Sequence, residues 1–444
     1  MVVSPSGSFA ADVLLDGGVV VDVGDVDRAG AAIVDAGGCL VLPGAVDVHT
    51  HVFGAVGPDT RSALCGGTTT ALAFVDALRG EPPAEAARRT FAEELPESLI
   101  DLAFHAVIWE PDAYRTGDLR AVAELGVGSV KLWLAYAELG IMADDAVAFA
   151  VLEEAADLGF VVLAHCENGR VIEALTQRLA DQGRLGIDSL LHSRPIALEA
   201  ECIHRFLVLA ELAGATPYVV HVTGRWPLEE IEAARGRGMT VYGEACTHHL
   251  LFDESFLKGP DAIRYVMTPP LRTRDDRAAL LEGMAGAGLD TYASDHCHYR
   301  LDRDKLPVQG DFRKIPTGLP GIGARLPLGF ALTAHDSSFT VERLVEVACE
   351  APARIFGLYP KKGVVAAESD ADLVVWNPTA PRALTLDAIN DGLGWSPYEG
   401  VELPGSLRHV FARGDHVVVD GHWTETEHRG EYVPVGRTAG VSAG

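Results

Sequence analysis

The chain has 444 residues, 48% of them hydrophobic and 22% charged, with a formal net charge of -27 from 63 acidic and 36 basic side chains. That length holds one large domain and a smaller satellite, and so acidic a surface argues against nucleic acid and anionic membranes, which need concentrated Lys and Arg. No apolar run approaches the roughly 20 residues of a membrane span, and seven cysteines without a CxxC pair or a signal-type leader fit a reduced, cytoplasmic protein.

Residues 11–23 and 31–42 carry Val and Ile between Gly and Asp turn signals and are expected to be β-rich. Strand-like apolar runs then occur at Leu40–Val48, Thr68–Phe74, Leu102–Trp109, Ser129–Leu134, Phe160–Ala164, Tyr218–Val222, Thr240–Glu244 and Thr291–Ser294. Amphipathic segments such as Ala143–Leu158 and Pro195–Ala213 separate most of them and read as helices. Eight strand runs alternating with helices are the pattern of an α/β (β/α)8 barrel. Alternation alone also allows an open doubly wound sheet. After the eighth run, His298–Leu328 is rich in Gly and Pro and reads as a long functional loop. Ala371–Trp376 and Arg408–Gly421 return to strand character, the second with a hairpin turn at Gly414-Asp415. Both termini are therefore expected to form one small β-sandwich, residues 1–44 and 358–444, around a catalytic barrel of 45–357. The small, polar tail from Val435 is expected to be mobile.

Metal-ligand side chains fall near the C-terminal ends of five of these runs: His49 and His51, Lys131, His165, His221 and Asp295. An open sheet would not bring strands one, four, five, six and eight together, whereas a barrel gathers them at the mouth where such enzymes keep their active sites. His49 and His51 stand at i and i+2, so on a strand both project to one face and reach one ion. His165 and His221 each end an apolar strand; one alone would more often be a hydrogen-bonded core residue, but two beside an HxH point to a metal. Imidazole and carboxylate donors without cysteine suit zinc, ahead of iron, manganese or cobalt. Lys131 sits in a run too apolar for an ammonium. Burial lowers a lysine pKa, and the neutral amine can add carbon dioxide to form a carbamate able to bridge two cations. Asp295 can bind a metal and also accept a proton from metal-bound water. His248 and His249 are read as bystanders or as groups behind the ligands, and His296 and His298 as hydrogen-bond partners rather than ligands. Walker A, GxSxG and HExxH motifs are absent.

These residues resemble the amidohydrolase superfamily, and within it the hydantoinase/dihydropyrimidinase family of cyclic amidohydrolases. The matching segments include Pro43-Gly-Ala-Val-Asp-Val-His-Thr-His, Ser129-Val-Lys-Leu-Trp-Leu-Ala-Tyr, His165-Cys-Glu-Asn-Gly, Ser193-Arg-Pro, Val241-Tyr-Gly-Glu-Ala-Cys and Asp311-Phe-Arg-Lys-Ile-Pro-Thr-Gly. The resemblance implies a binuclear site: His49, His51 and Asp295 on one divalent metal, His165 and His221 on the other. Lys131, as N6-carboxylysine, would bridge the two metals together with a hydroxide. It implies hydroxide attack on a ring amide, Tyr136 stabilising the oxyanion, Asp295 as general acid and base, and substrate contacts at Tyr136, Thr268 and Thr317. The partner it implies is a small cyclic amide, in a homotetramer or dimer. Thr268 stands where the family commonly has Ser and Thr317 where it commonly has Asn. The connection from His51 to Gly66 is shorter than usual. Val52-Phe53-Gly54 after the HxH disfavours a dihydroorotase; allantoinase and a non-catalytic assembly protein are the alternatives.

Overall fold

The computed structural model describes residues 1–52 and 54–435. Eight parallel strands close a barrel: Ala45–His51, Thr68–Phe74, Asp101–Val107, Ser129–Trp133, Val161–His165, Thr216–Val219, Tyr242–Cys246, and an eighth in two pieces, Thr291–Ala293 and His296–Cys297. The second piece pairs with Thr50 and His51 of strand one and so completes the ring. Between the pieces Asp295 takes a left-handed φ of 46°, which breaks the ladder and turns its carboxylate toward the mouth. Helices follow the strands with local stop and start signals. For example, Asp144 caps Asp145–Leu158 by accepting from the Val147 amide, and Gly159, at φ 70°, ends that helix.

The terminal segments form a seven-stranded sheet in the order Gly7–Phe9, Val2–Ser4, Leu40–Pro43, Leu373–Asn377, Ser406–Ala412, Asp415–Val419, His422–Trp423. One face packs under the hairpin Asp12–Asp16/Val19–Gly24 through Val13, Leu15 and Val23. The other joins the barrel core, where Trp376 stacks on Phe330 at 4.1 Å. The termini thus form a β domain beside a (β/α)8 barrel. The two bodies are joined by Lys362, whose buried ammonium sits 2.5, 2.6 and 2.7 Å from Asp101, Asp370 and Asp372.

Two strand expectations change. Leu40–Val48 is not one strand: Leu40–Pro43 belongs to the terminal sheet and Ala45–His51 to the barrel. The chain crosses at Gly44, where a Cβ would collide with the Thr69 side chain. In 31–42 only Leu40 onward is strand; Ile33 and Val34 lie exposed, with no facing strand to bury them. The tail from Val435 falls, beyond that residue, outside the described residues. Among the described residues all seven cysteines are free, and no helix is long and apolar enough to cross a membrane.

Candidate metal centre and active site

All nine residues singled out from the sequence line one cavity of about 380 Å³ at the barrel mouth: His49, His51, Lys131, Tyr136, His165, His221, Thr268, Asp295 and Thr317. Phe74, at the end of strand two, props the first pair, meeting the His49 ring edge-on at 5.1 Å and stacking on His51 at 4.8 Å. The Nε2 atoms of His49 and His51 converge on Asp295 Oδ1 at 3.1 and 3.5 Å. Across the barrel axis, His165 Nδ1 and His221 Nε2 lie 2.9 Å apart. Lys131 is buried between the two sets, its Nζ 5.0 Å from the Phe74 ring and 5.8 Å from Trp133.

Carboxylates behind the histidines fix which nitrogen faces the cavity. Glu244 Oε1 takes His49 Nδ1 at 2.6 Å and the His221 amide at 3.0 Å, while its Oε2 accepts from Tyr218. One side chain therefore anchors His49 on strand one and His221 beyond strand six. His165 Nε2 is held by Glu167 at 2.8 Å, and Glu167 by the buried guanidinium of Arg194. Arg194 also lies 5.2 Å over the Tyr136 ring. Behind it, Arg272 donates to Arg194 O at 2.5 Å and pairs with Glu199 at 3.0 Å. Glu199 in turn accepts from the Thr223 amide, two residues beyond His221.

Burial opposes a charged His49, yet the Glu244 and Asp295 carboxylates raise its pKa to about 9. Burial lowers the pKa of His165 against the pull of Glu167, and that of His221 further, with His165 beside it. Lys131 is pushed down to about 8 by burial, against Glu244 and Asp295, which favours the neutral amine relative to a solvent-exposed lysine. Backbone strain clusters here too. Tyr136, His221 and Asp295 are non-glycine residues at φ 66°, 40° and 46°, conformations that persist where surrounding structure holds a functional side chain in place.

The donors fit a divalent metal. The candidate ligand atoms of His49, His51 and Asp295 lie within 4.8 Å of one another, and His165 and His221 present ring nitrogens to one another with Glu167 occupying the far side. An acid-rich nest that draws a proton onto His49 is short of positive charge, which a cation supplies.

Over residues 40–417 the sequence matches the Amidohydrolase family. The chain belongs to that family. Within it, the chain is 34% identical to the D-hydantoinase of Geobacillus stearothermophilus, the alignment covering 97% of this chain and 94% of that protein. It is 32% identical to a D-phenylhydantoinase of Escherichia coli, over 98% and 96%. The solved structure of the dihydropyrimidinase from Brevibacillus agri superposes with a TM-score of 0.94 at 32% identity, covering 99% of this chain and 98% of that one. This amidohydrolase is thus of the hydantoinase branch.

Sequence reasoning passed over Glu244, Glu167 and Arg194 as structural parts of the site. Glu167 and Glu244 carried a readable signal: each is an acid in or just after an apolar strand run, on the inward-facing side, and such an acid needs a buried partner. Arg194 had none beyond its motif. His298 Nδ1 hydrogen-bonds Asp59 Oδ1 at 2.6 Å, while His296 Nε2 lies 3.0 Å from Asp59 Oδ2 as an ion-pair contact and its Nδ1 accepts from the Gly321 amide at 3.0 Å. His249 Nε2 donates to Pro269 O at 3.0 Å.

Proposed function

We propose that the chain is a metal-dependent hydrolase opening cyclic amides of the hydantoin or dihydropyrimidine type to N-carbamoyl amino acids. The observation carrying this reading is the convergence of two imidazole-containing ligand sets, with Lys131 between them, on a cavity of about 380 Å³, within the size range of small-molecule sites. His49, His51 and Asp295 would hold one ion, His165 and His221 the other, and Lys131 as its carbamate would lie between. Two divalent ions, zinc first by donor type, would supply an acidified water and a polarised amide carbonyl.

The chain's own groups do the rest. Asp295 takes one proton of the attacking water as the new C–O bond forms and returns it to the ring nitrogen as the C–N bond breaks; the water's second proton leaves when the product carboxylic acid ionises. Tyr136 donates its phenol to the carbonyl oxygen as charge develops there. Its hydroxyl lies 2.7 Å from Thr268 Oγ1, and Thr268 2.9 Å from Thr317 Oγ1. This hydroxyl row faces the polar edge of the ring. Phe74, Trp109, Trp133, Ile141 and Tyr299 form the apolar wall, suited to a bulky substituent on the ring carbon.

The test is ring opening of hydantoin, 5-phenylhydantoin, dihydrouracil and allantoin by protein prepared with zinc and bicarbonate. Turnover of a hydantoin or dihydrouracil, abolished by chelator, supports the reading. Turnover of allantoin alone would replace it with the allantoinase alternative, and inactivity with both metals bound would overturn it.

A further inference from the structure

Lys305 is fully buried, and among the described residues no carboxylate forms an ion pair with it, unlike Lys362. Its ammonium donates to two backbone carbonyls, Val266 O at 2.8 Å and Pro316 O at 2.9 Å, under the Tyr299 ring at 5.8 Å. A buried amine bonded only to neutral groups is a poor choice for stability, because desolvation outweighs what two carbonyls return. What it holds is informative. Val266 stands two residues before Thr268, on the segment after strand seven. Pro316 directly precedes Thr317, on the long loop after strand eight. The Gly318 amide reaches the same Val266 carbonyl at 3.2 Å. The two segments are also joined at the cavity surface by the Thr268–Thr317 hydroxyl bond, at 2.9 Å.

We propose that Lys305 is a positioning residue that pins the Thr268 and Thr317 segments into one substrate-facing wall. The inference rests on the cyclic-amidohydrolase reading above. The Tyr136–Thr268–Thr317 row depends on oxygen separations of 2.7 and 2.9 Å, and hydrogen bonds between hydroxyls weaken beyond about 3 Å. A drift of either segment by about 1 Å would break the row, and misplacements of that size cost up to about a hundredfold. Burial lowers the amine's pKa to about 7, with Cys297 and Asp304 pulling it back up. The neutral amine keeps two N–H groups, one for each carbonyl, so the pin holds in either protonation state.

The experiment compares Lys305→Met and Lys305→Gln with wild type in the metal-loaded full chain, hydantoin being the substrate and its product N-carbamoylglycine the competitive inhibitor. Met removes both donors at similar volume; Gln restores an NH2. The Met variant should raise KM and the inhibition constant together by about tenfold, with kcat within about threefold and metal content equal to wild type. Gln should recover most of the loss. A Met variant with wild-type KM and inhibition constant overturns the proposal, as does loss of metal. If both variants fail to fold, the lysine is a stability element and the proposal also falls. Inactive wild type would count against the hydrolase reading itself, whereas active wild type with an unaffected Met variant sinks only the pin.

Discussion

Replacing Arg194 with Met separates the site's framework from its chemistry. Arg194 and Glu167 are both buried, their side chains 9% and 1% exposed. Burial raises the Glu167 pKa, but Arg194 and then His165 bring it down from 4.5 to about 2. A depressed carboxylate contributes stability that is present above its unfolded pKa and lost as pH falls through about 2. Removing one partner of such a buried pair costs roughly 3–5 kcal/mol, because the other charge is left buried and uncompensated. Arg194 leads His165 in lowering the Glu167 pKa, so Arg194→Met should lower unfolding free energy by about 3–5 kcal/mol at pH 7. It should also release the carboxylate that orients His165 Nε2, at about 10–100-fold in affinity for one of the two metals. Urea unfolding measures the first effect, and zinc competition against a chromophoric chelator the second. A stability loss with both zinc affinities unchanged would refute the reasoning, because His165 would then not depend on the Arg194–Glu167 pair for its orientation.

Tyr136→Phe should cut kcat by about 10²–10³ through loss of one oxyanion donor, leaving two metals bound; loss of metal would make the phenol structural. Lys131→Ala should reduce bound metal from two to at most one and bring ring opening to background, as read by elemental analysis and turnover on one sample; two metals with normal turnover would exclude the carbamate bridge. Glu94 ends the helix Pro83–Glu94, and burial, then Asp76 and Glu93, raise its pKa to about 8. A raised carboxyl contributes stability that is complete below its unfolded value near 4.5 and lost as pH rises through 8. Glu94→Gln should therefore be nearly neutral at pH 5 and stabilising by up to about 4 kcal/mol at pH 9, checked by urea unfolding at both pH values.

The barrel and the side chains gathered at its mouth were legible because their signals are local. His49, His165 and His221 lie at or just beyond the ends of apolar runs, where position along a strand dictates which end of the barrel a side chain reaches. The crossing at Gly44 was not legible, since Leu40–Pro43 and Ala45–Val48 are equally apolar and differ only in which sheet they join. Residues 31–39 misled because Ile33 and Val34 have strand propensity but no partner strand, and propensity yields to context. The framework was the least visible layer. His49 and Glu244 are 195 residues apart, and Lys305 reaches Val266 across 39. No periodicity records such pairs; closing the barrel creates them.

The most direct test of the central claim is a zinc titration of metal-stripped protein in bicarbonate, with ring opening of hydantoin or 5-phenylhydantoin followed at each step. No turnover is expected without metal, and a plateau at two equivalents per chain. Activity in the stripped protein, or a plateau reached at one equivalent, would contradict the claim.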